Sequence, residues 1–296
     1  MRQGDTVTVL DEFNDYYDPA IKRANVAGFQ GQANIIEGDL RDRPTVDRVF
    51  AEGKFDTVIH LAARAGVRPS IDDPALYLAT NINGTFHLLE AAKATGVPRF
   101  VFASSSSVYG INKKVPFAET DRIEQTISPY AMTKMAGEQM CSNYTNLYNI
   151  RTVCLRFFTV YGPRQRPDMA FHRFIEATLD GGSINVFGDG EQTRDFTFIA
   201  DIVEANIAAA AEGVLGVFNI GGGSRVTLRD VLGTLAEVAG PVKQNRLERE
   251  AGDVLDTWAD VSAAVKAWGY APKVALREGL TAQVAWHRER RARLAR

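Results

Sequence analysis

A chain of 296 residues with 45% hydrophobic content can bury a large core, as one two-lobed unit or as two small domains. Its net charge of −2 gives no nucleic-acid footprint, and the basic run from His287 to Arg296 reads as a solvated helix end. Cys141 and Cys154 offer neither a metal-ligand spacing nor a disulfide framework. No stretch reads as a signal peptide or as a bilayer span, so a reducing, cytoplasmic setting is the expectation.

In chain order, the β-branched run Thr6–Leu10 predicts a buried strand ending at Asp11. A polar segment, Glu12 to Pro19, leads into a short helix and then a strand over Asn34–Glu37, followed by the turn Gly38-Asp39. A helix near Thr45–Gly53 precedes an apolar run, Phe55–Ala63, in which His60 reads as a core histidine. Nearly continuous apolar strands separated by helices predict a parallel sheet covered on both faces. A loop, Arg64–Ser70, and a long helical segment, Pro74–Thr95, come next. The strand Phe100–Phe102 then runs into Ala103-Ser104-Ser105-Ser106-Ser107-Val108-Tyr109-Gly110.

About two dozen residues on stands Ser128-Pro129-Tyr130-Ala131-Met132-Thr133-Lys134. A Ser N-cap followed by Pro in the first turn predicts a helix start, and the i,i+4 spacing puts the Tyr130 phenol and the Lys134 ammonium on one face. A phenol ionises near pH 10, but a neighbouring cation favours the phenolate, so Tyr130 can take a proton from an alcohol that a strand-end serine orients. Any amphipathic helix can carry such a Tyr and Lys by chance, so the surrounding motif matters.

With the serine run before it, this stretch resembles the active site of the extended short-chain dehydrogenase/reductases, the nucleotide-sugar epimerases and dehydratases. The resemblance implies a Rossmann-like doubly wound parallel α/β sheet, residues 1–162, and a smaller C-terminal α/β substrate lobe, residues 163–296, with 194–220 returning to the sheet. It implies Ser105, Tyr130 and Lys134 as the catalytic set and NAD as cofactor. Asp11 would hold the adenosine ribose, Asp39 and Leu40 the adenine, and Ala62, Ala63, Asn81 and Phe158 would lie along the cofactor. A homodimer built on the Pro74–Thr95 helix and the helix after Ser128 is implied as well. One departure is large: the family's first strand and its Gly-x-x-Gly-x-x-Gly turn do not precede Thr6, and Gly221-Gly222-Gly223 has neither the position nor the spacing to replace that turn. A break in the sheet beside Thr6–Leu10 and weak retention of NAD are therefore expected.

The resemblance also narrows the substrate. Ala65-Gly66-Val67-Arg68 is similar to the substrate loop of the uronic-acid epimerases, where Arg68 would meet a diphosphate. Thr159 together with Arg166-Pro167-Asp168-Met169-Ala170 is similar to the UDP-glucuronate 4-epimerases, whereas most hexose epimerases have Asn at the Thr159 position. Arg164-Gln165, in contrast, is more typical of hexose and N-acetylhexosamine epimerases. Arg194 and Arg173 are candidates for the diphosphate, Asp253 for the uridine ribose and Ser106 for the sugar. Arg249 does not align with the family's arginine, because Glu250 stands there. Dehydratases place Asp-Glu at Ser106-Ser107, and the decarboxylating relatives place Glu at Ser107; neither carboxylate is present. NAD-dependent 4-epimerisation of a UDP-sugar, most of all UDP-glucuronate, is the expected activity. A hexose 4-epimerase and a non-catalytic sugar-nucleotide-binding protein remain as alternatives.

Overall fold

Alternating strands and helices give two compact units. The computed structural model describes residues 4–223, 225–248 and 256–295. The first unit takes in Met1–Asn112, Arg122–Arg156 and Ala208–Phe218. Along it run β1 (Thr8–Asp11), α1 (Pro19–Ala27), β2 (Asn34–Glu37), α2 (Arg43–Gly53), β3 (Thr57–His60), α3 (Val67–Asp72), α4 (Pro74–Tyr77), a π-helical turn (Leu78–Asn83), α5 (Gly84–Thr95), β4 (Arg99–Ser105), a 3₁₀ turn (Ser106–Tyr109), α6 (Pro129–Tyr148) and β5 (Arg151–Phe157). The second unit takes in Lys113–Asp121, Phe157–Ile207 and Asn219–Arg296. The chain continues through β6 (Thr159–Tyr161), α7 (Ala170–Leu179), β7 (Ser183–Phe187), β8 (Thr193–Arg194), β9 (Phe196–Phe198), α8 (Ile199–Ala209), β10 (Gly216–Ile220), β11 (Val226–Thr227), α9 (Leu228–Ala239), β12 (Lys243–Leu247), α10 (Ser262–Trp268) and α11 (Leu276–Leu294).

The sheet of the first unit is in two pieces. β1 and β2 run parallel, from Thr8 opposite Asn34 to Asp11 opposite Glu37. β3 and β4 run parallel, from Thr57 opposite Arg99 to His60 opposite Phe102, and the larger piece has the order β10-β5-β4-β3. Among the described residues β1 pairs only with β2 and β3 only with β4, so the ladder breaks where the sequence predicts it.

Two elements differ from the sequence reading. β3 stops at His60 rather than Ala63, because the backbone of Arg64 leaves the ladder to exchange hydrogen bonds with the Asn81 side chain, N to Oδ1 at 2.8 Å and O from Nδ2 at 2.9 Å. The Pro74–Thr95 segment is helical throughout but carries the π-helical turn in its middle, and the predicted loop after Arg64 winds into α3 from Val67. Hydrophobic periodicity does not reveal a π-turn, and such turns recur at functional sites.

α2, α5 and α6 pack on the sheet around Val46, Leu89, Phe100, Phe102, Cys141 and Cys154. α6 starts as predicted: Ser128 caps it by accepting from the Ala131 N–H at 3.1 Å, and Pro129 opens the first turn. It then approaches β4 so closely that a Cβ at Gly137 would come within 2.3 Å of the Phe102 ring. In the second unit, α7, α9 and α11 bury Ile175, Leu232, Leu235 and Val284 against β7. β7 pairs in parallel with β12, and β6 with β9.

Candidate active site

β4 delivers Ser105 and α6 delivers Tyr130 and Lys134. The strand is apolar and buried from Phe100 to Ala103, so its end is anchored in the core. Ser105 caps the 3₁₀ turn, accepting from the Ser107 N–H at 3.2 Å while its hydroxyl donates to Ser107 Oγ at 3.1 Å. Lys134 is buried; its Nζ donates to the Ala103 carbonyl at 2.7 Å and lies 5.9 Å from the centre of the Tyr130 ring. Burial pushes the Lys134 ammonium down to about 8. Tyr130 is half-buried, with the Tyr77 ring edge-on at 6.4 Å. A phenol with a cation facing its ring, on a helix packed against the strand that ends in a serine hydroxyl, supplies the groups needed to move an alcohol proton.

Behind this set lies a buried polar network that the sequence reading does not single out. Glu138, one turn beyond Lys134, accepts from Arg156 Nε at 2.9 Å and Nη2 at 2.7 Å, and from Ser104 Oγ at 2.5 Å. Arg156 Nη1 also donates to the Tyr109 hydroxyl at 3.1 Å. Burial works against the Arg156 charge, but the bonds and charge of Glu138 outweigh it and hold the guanidinium above its ordinary range. The available signal was a lone arginine inside the apolar run Thr152–Phe158, which must find a partner when buried.

The predicted cofactor residues of the first unit gather at the carboxyl ends of its strands. Asp11 closes β1 and accepts from the Phe13 N–H at 2.7 Å. Asp39 follows β2; burial raises its carboxyl, but the hydrogen bonds from Arg41 outweigh this and hold it below the usual range. Leu40 turns its side chain into the core and its carbonyl toward His87 Nδ1 at 2.8 Å. Ala62 and Ala63 lie just past β3, where small side chains leave room for a ligand. Asn81 is buried and ties the chain at Arg64 to α6 through Thr133 Oγ1 at 3.0 Å. These residues fit a dinucleotide: open α/β sheets bind ligands at their carboxyl ends, and Arg64 Nε is buried there without a hydrogen-bond partner among the described residues. His60 is buried, bonded to Thr85 at 2.9 Å and driven to about 3 by burial and then by the Lys134 charge, as a core histidine should be.

Arg68 is exposed on α3, and Ser106 is half-buried in the 3₁₀ turn. In the second unit, Phe158 is buried and its N–H donates to the Ile220 carbonyl at 3.1 Å. Thr159 opens β6 with its N–H on the Asp195 carbonyl at 3.1 Å, which leaves its half-buried side chain uncommitted to the ladder. Arg166 forks onto Asp168, Nε to Oδ1 at 3.0 Å and Nη2 to Oδ2 at 2.9 Å. Arg173 is exposed on α7, and Arg194 Nη1 donates to the Thr193 carbonyl at 2.9 Å. Asp253 and Arg249 lie outside the described residues. His172, Glu176 and His287 also cluster in this unit, but Glu176 is already held by Arg291 and by His287 Nδ1, so its charge is met by the junction of α7 with α11.

A parallel α/β unit that sets a strand-end serine near a Tyr-x-x-x-Lys helix defines a short-chain dehydrogenase/reductase site. The model of the NAD dependent epimerase/dehydratase family matches residues 1–221, and the chain belongs to that family. It is 42% identical, over 97% of its length and 71% of the relative's, to UDP-glucuronate 4-epimerase 3 of Arabidopsis thaliana. Its fold is similar to the Bacillus cereus UDP-glucuronic acid 4-epimerase solved with UDP-glucuronic acid and NAD, with a TM-score of 0.89 and 36% identity over 96% of this chain and 91% of that one. It is equally similar to the Thermotoga maritima UDP-glucose 4-epimerase solved with UDP-glucose, with a TM-score of 0.90 and 34% identity over 98% and 93%.

Proposed function

We propose that the protein catalyses the NAD-dependent 4-epimerisation of a UDP-sugar, and that the sugar is glucuronate. The observation that carries the reaction type is the Ser105, Tyr130 and Lys134 set beside a serine run that holds no carboxylate. NAD, which Asp11, Asp39 and Asn81 would help to hold, would supply a reversible hydride acceptor for the C4 hydrogen. Tyr130 takes the proton of the C4 hydroxyl and gives it back after the sugar has turned over. Ser105 orients that hydroxyl, and Lys134, whose ammonium faces the Tyr130 ring, stabilises the phenolate.

Glucuronate is favoured by Thr159 in combination with Arg166-Pro167-Asp168-Met169-Ala170 and by the relatives named above. A 4-keto glucuronate is a β-keto acid prone to lose carbon dioxide, so the carboxylate must be held in a pose that resists cleavage; Thr159 takes that role, with Arg166, Arg173 and Arg194 serving the diphosphate or the uronate. The hexose reading retains one observation, Arg164-Gln165. Supplying UDP-glucuronate and UDP-glucose separately with NAD and resolving the products by chromatography separates the two. UDP-galacturonate from the first at a rate far above epimerisation of the second is expected, and equal rates would move the assignment to a hexose 4-epimerase.

Among the described residues no helix is long and apolar enough to cross a membrane. Two buried free cysteines suit a reducing cytoplasm, and exposed Phe86 on α5 with Leu147 and Tyr148 on α6 suits a homodimer through those helices.

A further inference from the structure

Tyr130, Lys134 and Glu138 stand four residues apart on α6 and so share one face of the helix. The two that follow Tyr130 grip consecutive residues at the end of β4: Lys134 holds the Ala103 carbonyl at 2.7 Å, and Glu138 holds the Ser104 hydroxyl at 2.5 Å. The next residue of that strand is Ser105. Gly137 removes the side chain that would otherwise keep the helix off Phe102. From the other side Arg156 on β5 clamps Glu138 through two nitrogens and reaches Tyr109, the last residue of the 3₁₀ turn that Ser105 caps. Ser104, Glu138 and Arg156 are only 3%, 4% and 5% exposed. A buried ion pair is weak evidence for stability, since apolar residues of similar volume commonly do as well; in some proteins its role is to fix one register between the elements it joins.

We propose that the Glu138–Arg156 pair is a positioning device for the reaction: acting through Ser104 and beside Lys134, it fixes the separation between the helix that carries Tyr130 and the strand end that carries Ser105. It touches no reacting atom. Its loss lets α6 shift against β4, which spoils the approach of Ser105 and Tyr130 to one hydroxyl and loosens the hold of Lys134 on the phenol. Small misplacements of this kind are costly to kcat while leaving substrate affinity largely intact.

The inference rests on the catalytic reading of Tyr130, and the test separates the two. Ser104→Ala is the main variant, because it cuts the link to β4 while leaving both partners of the ion pair in place; Glu138→Gln is the second. Each is compared with the parent in kcat, KM for UDP-glucuronate, pH profile and thermal unfolding. The ionisation of Tyr130 is read from phenolate absorbance as the difference between each protein and its Tyr130→Phe counterpart. For Ser104→Ala we expect kcat to fall about tenfold with KM within about twofold, and for Glu138→Gln a larger fall. Both should move the acid limb of the profile and the Tyr130 midpoint to higher pH. Variants that lower only the melting temperature, with kcat and the Tyr130 midpoint unmoved, would make the pair a structural strut and overturn the proposal. A parent inactive on every UDP-sugar would instead strike the catalytic reading, and the midpoint shift would still decide the positioning role.

Discussion

The charges behind the catalytic candidates of the first unit and the candidate phosphate-binding arginines of the second are committed in opposite ways. In the first, Lys134, Glu138 and Arg156 are buried and each is tied to neighbours that fix its direction. In the second, Arg173 is exposed and Arg166 spends its fork on the partly exposed Asp168. An exposed ion pair contributes little stability, so exchanging the Asp168 carboxylate for a ligand phosphate costs little, whereas a buried charge that lost its partner would be left stranded. On the proposed reading the chemistry would be prearranged on the first unit, and recognition would fall to groups that can let go of their partners.

The largest test of that contrast is Tyr130→Phe. The change removes only an oxygen from a half-buried ring, so the melting temperature should barely move while kcat drops by roughly 10²–10⁴. Near-parent turnover would remove the base from the account. On the second unit, Arg194→Gln should raise KM for the UDP-sugar by about tenfold or more with kcat little changed, the loss expected for one charge-assisted hydrogen bond to a phosphate. A fall in kcat with KM intact would put Arg194 among the reacting groups and erase the contrast.

Lys134 sharpens the comparison through pH. Its folded midpoint is about 8 and its ordinary value 10.5, so between those limits the unfolded chain holds a proton that the folded chain has released. Stability should therefore rise with pH across that window, and activity should fall by roughly tenfold per pH unit above the midpoint as the ammonium is lost. Denaturant titrations of the parent and Lys134→Met from pH 8 upward check the first part: the rise belongs to the parent alone. The smallest expected effect is at Thr159, where Val keeps the shape and the backbone bond to Asp195 but loses the hydroxyl. A few-fold larger share of UDP-pentose among the products is expected, and an unchanged product ratio would free Thr159 of its role.

What could be read from the sequence was local. Ser128-Pro129 announced α6, and the spacing of Tyr130 and Lys134 placed both on one face, because caps and i,i+4 geometry need only a few neighbouring residues. The end of β3 was not legible, since what draws the chain away at Arg64 is Asn81, seventeen residues on. Nor was the π-turn that positions Asn81, or the meeting of Glu138 with Ser104 and Arg156, which join one helix to two strands far apart in sequence. Leu40, assigned to the adenine by resemblance, packs its side chain in the core, so its backbone is the part that would face a ligand.

Whether one hydrogen leaves C4 and returns to C4 while Tyr130 handles only the hydroxyl proton can be read from UDP-glucuronate deuterated at C4 and turned over in ordinary water with NAD. The expected product is UDP-galacturonate that keeps its deuterium at C4, formed more slowly than the unlabelled product by a primary isotope effect. Loss of the label to solvent would contradict it, because the inversion would then proceed by exchange at carbon.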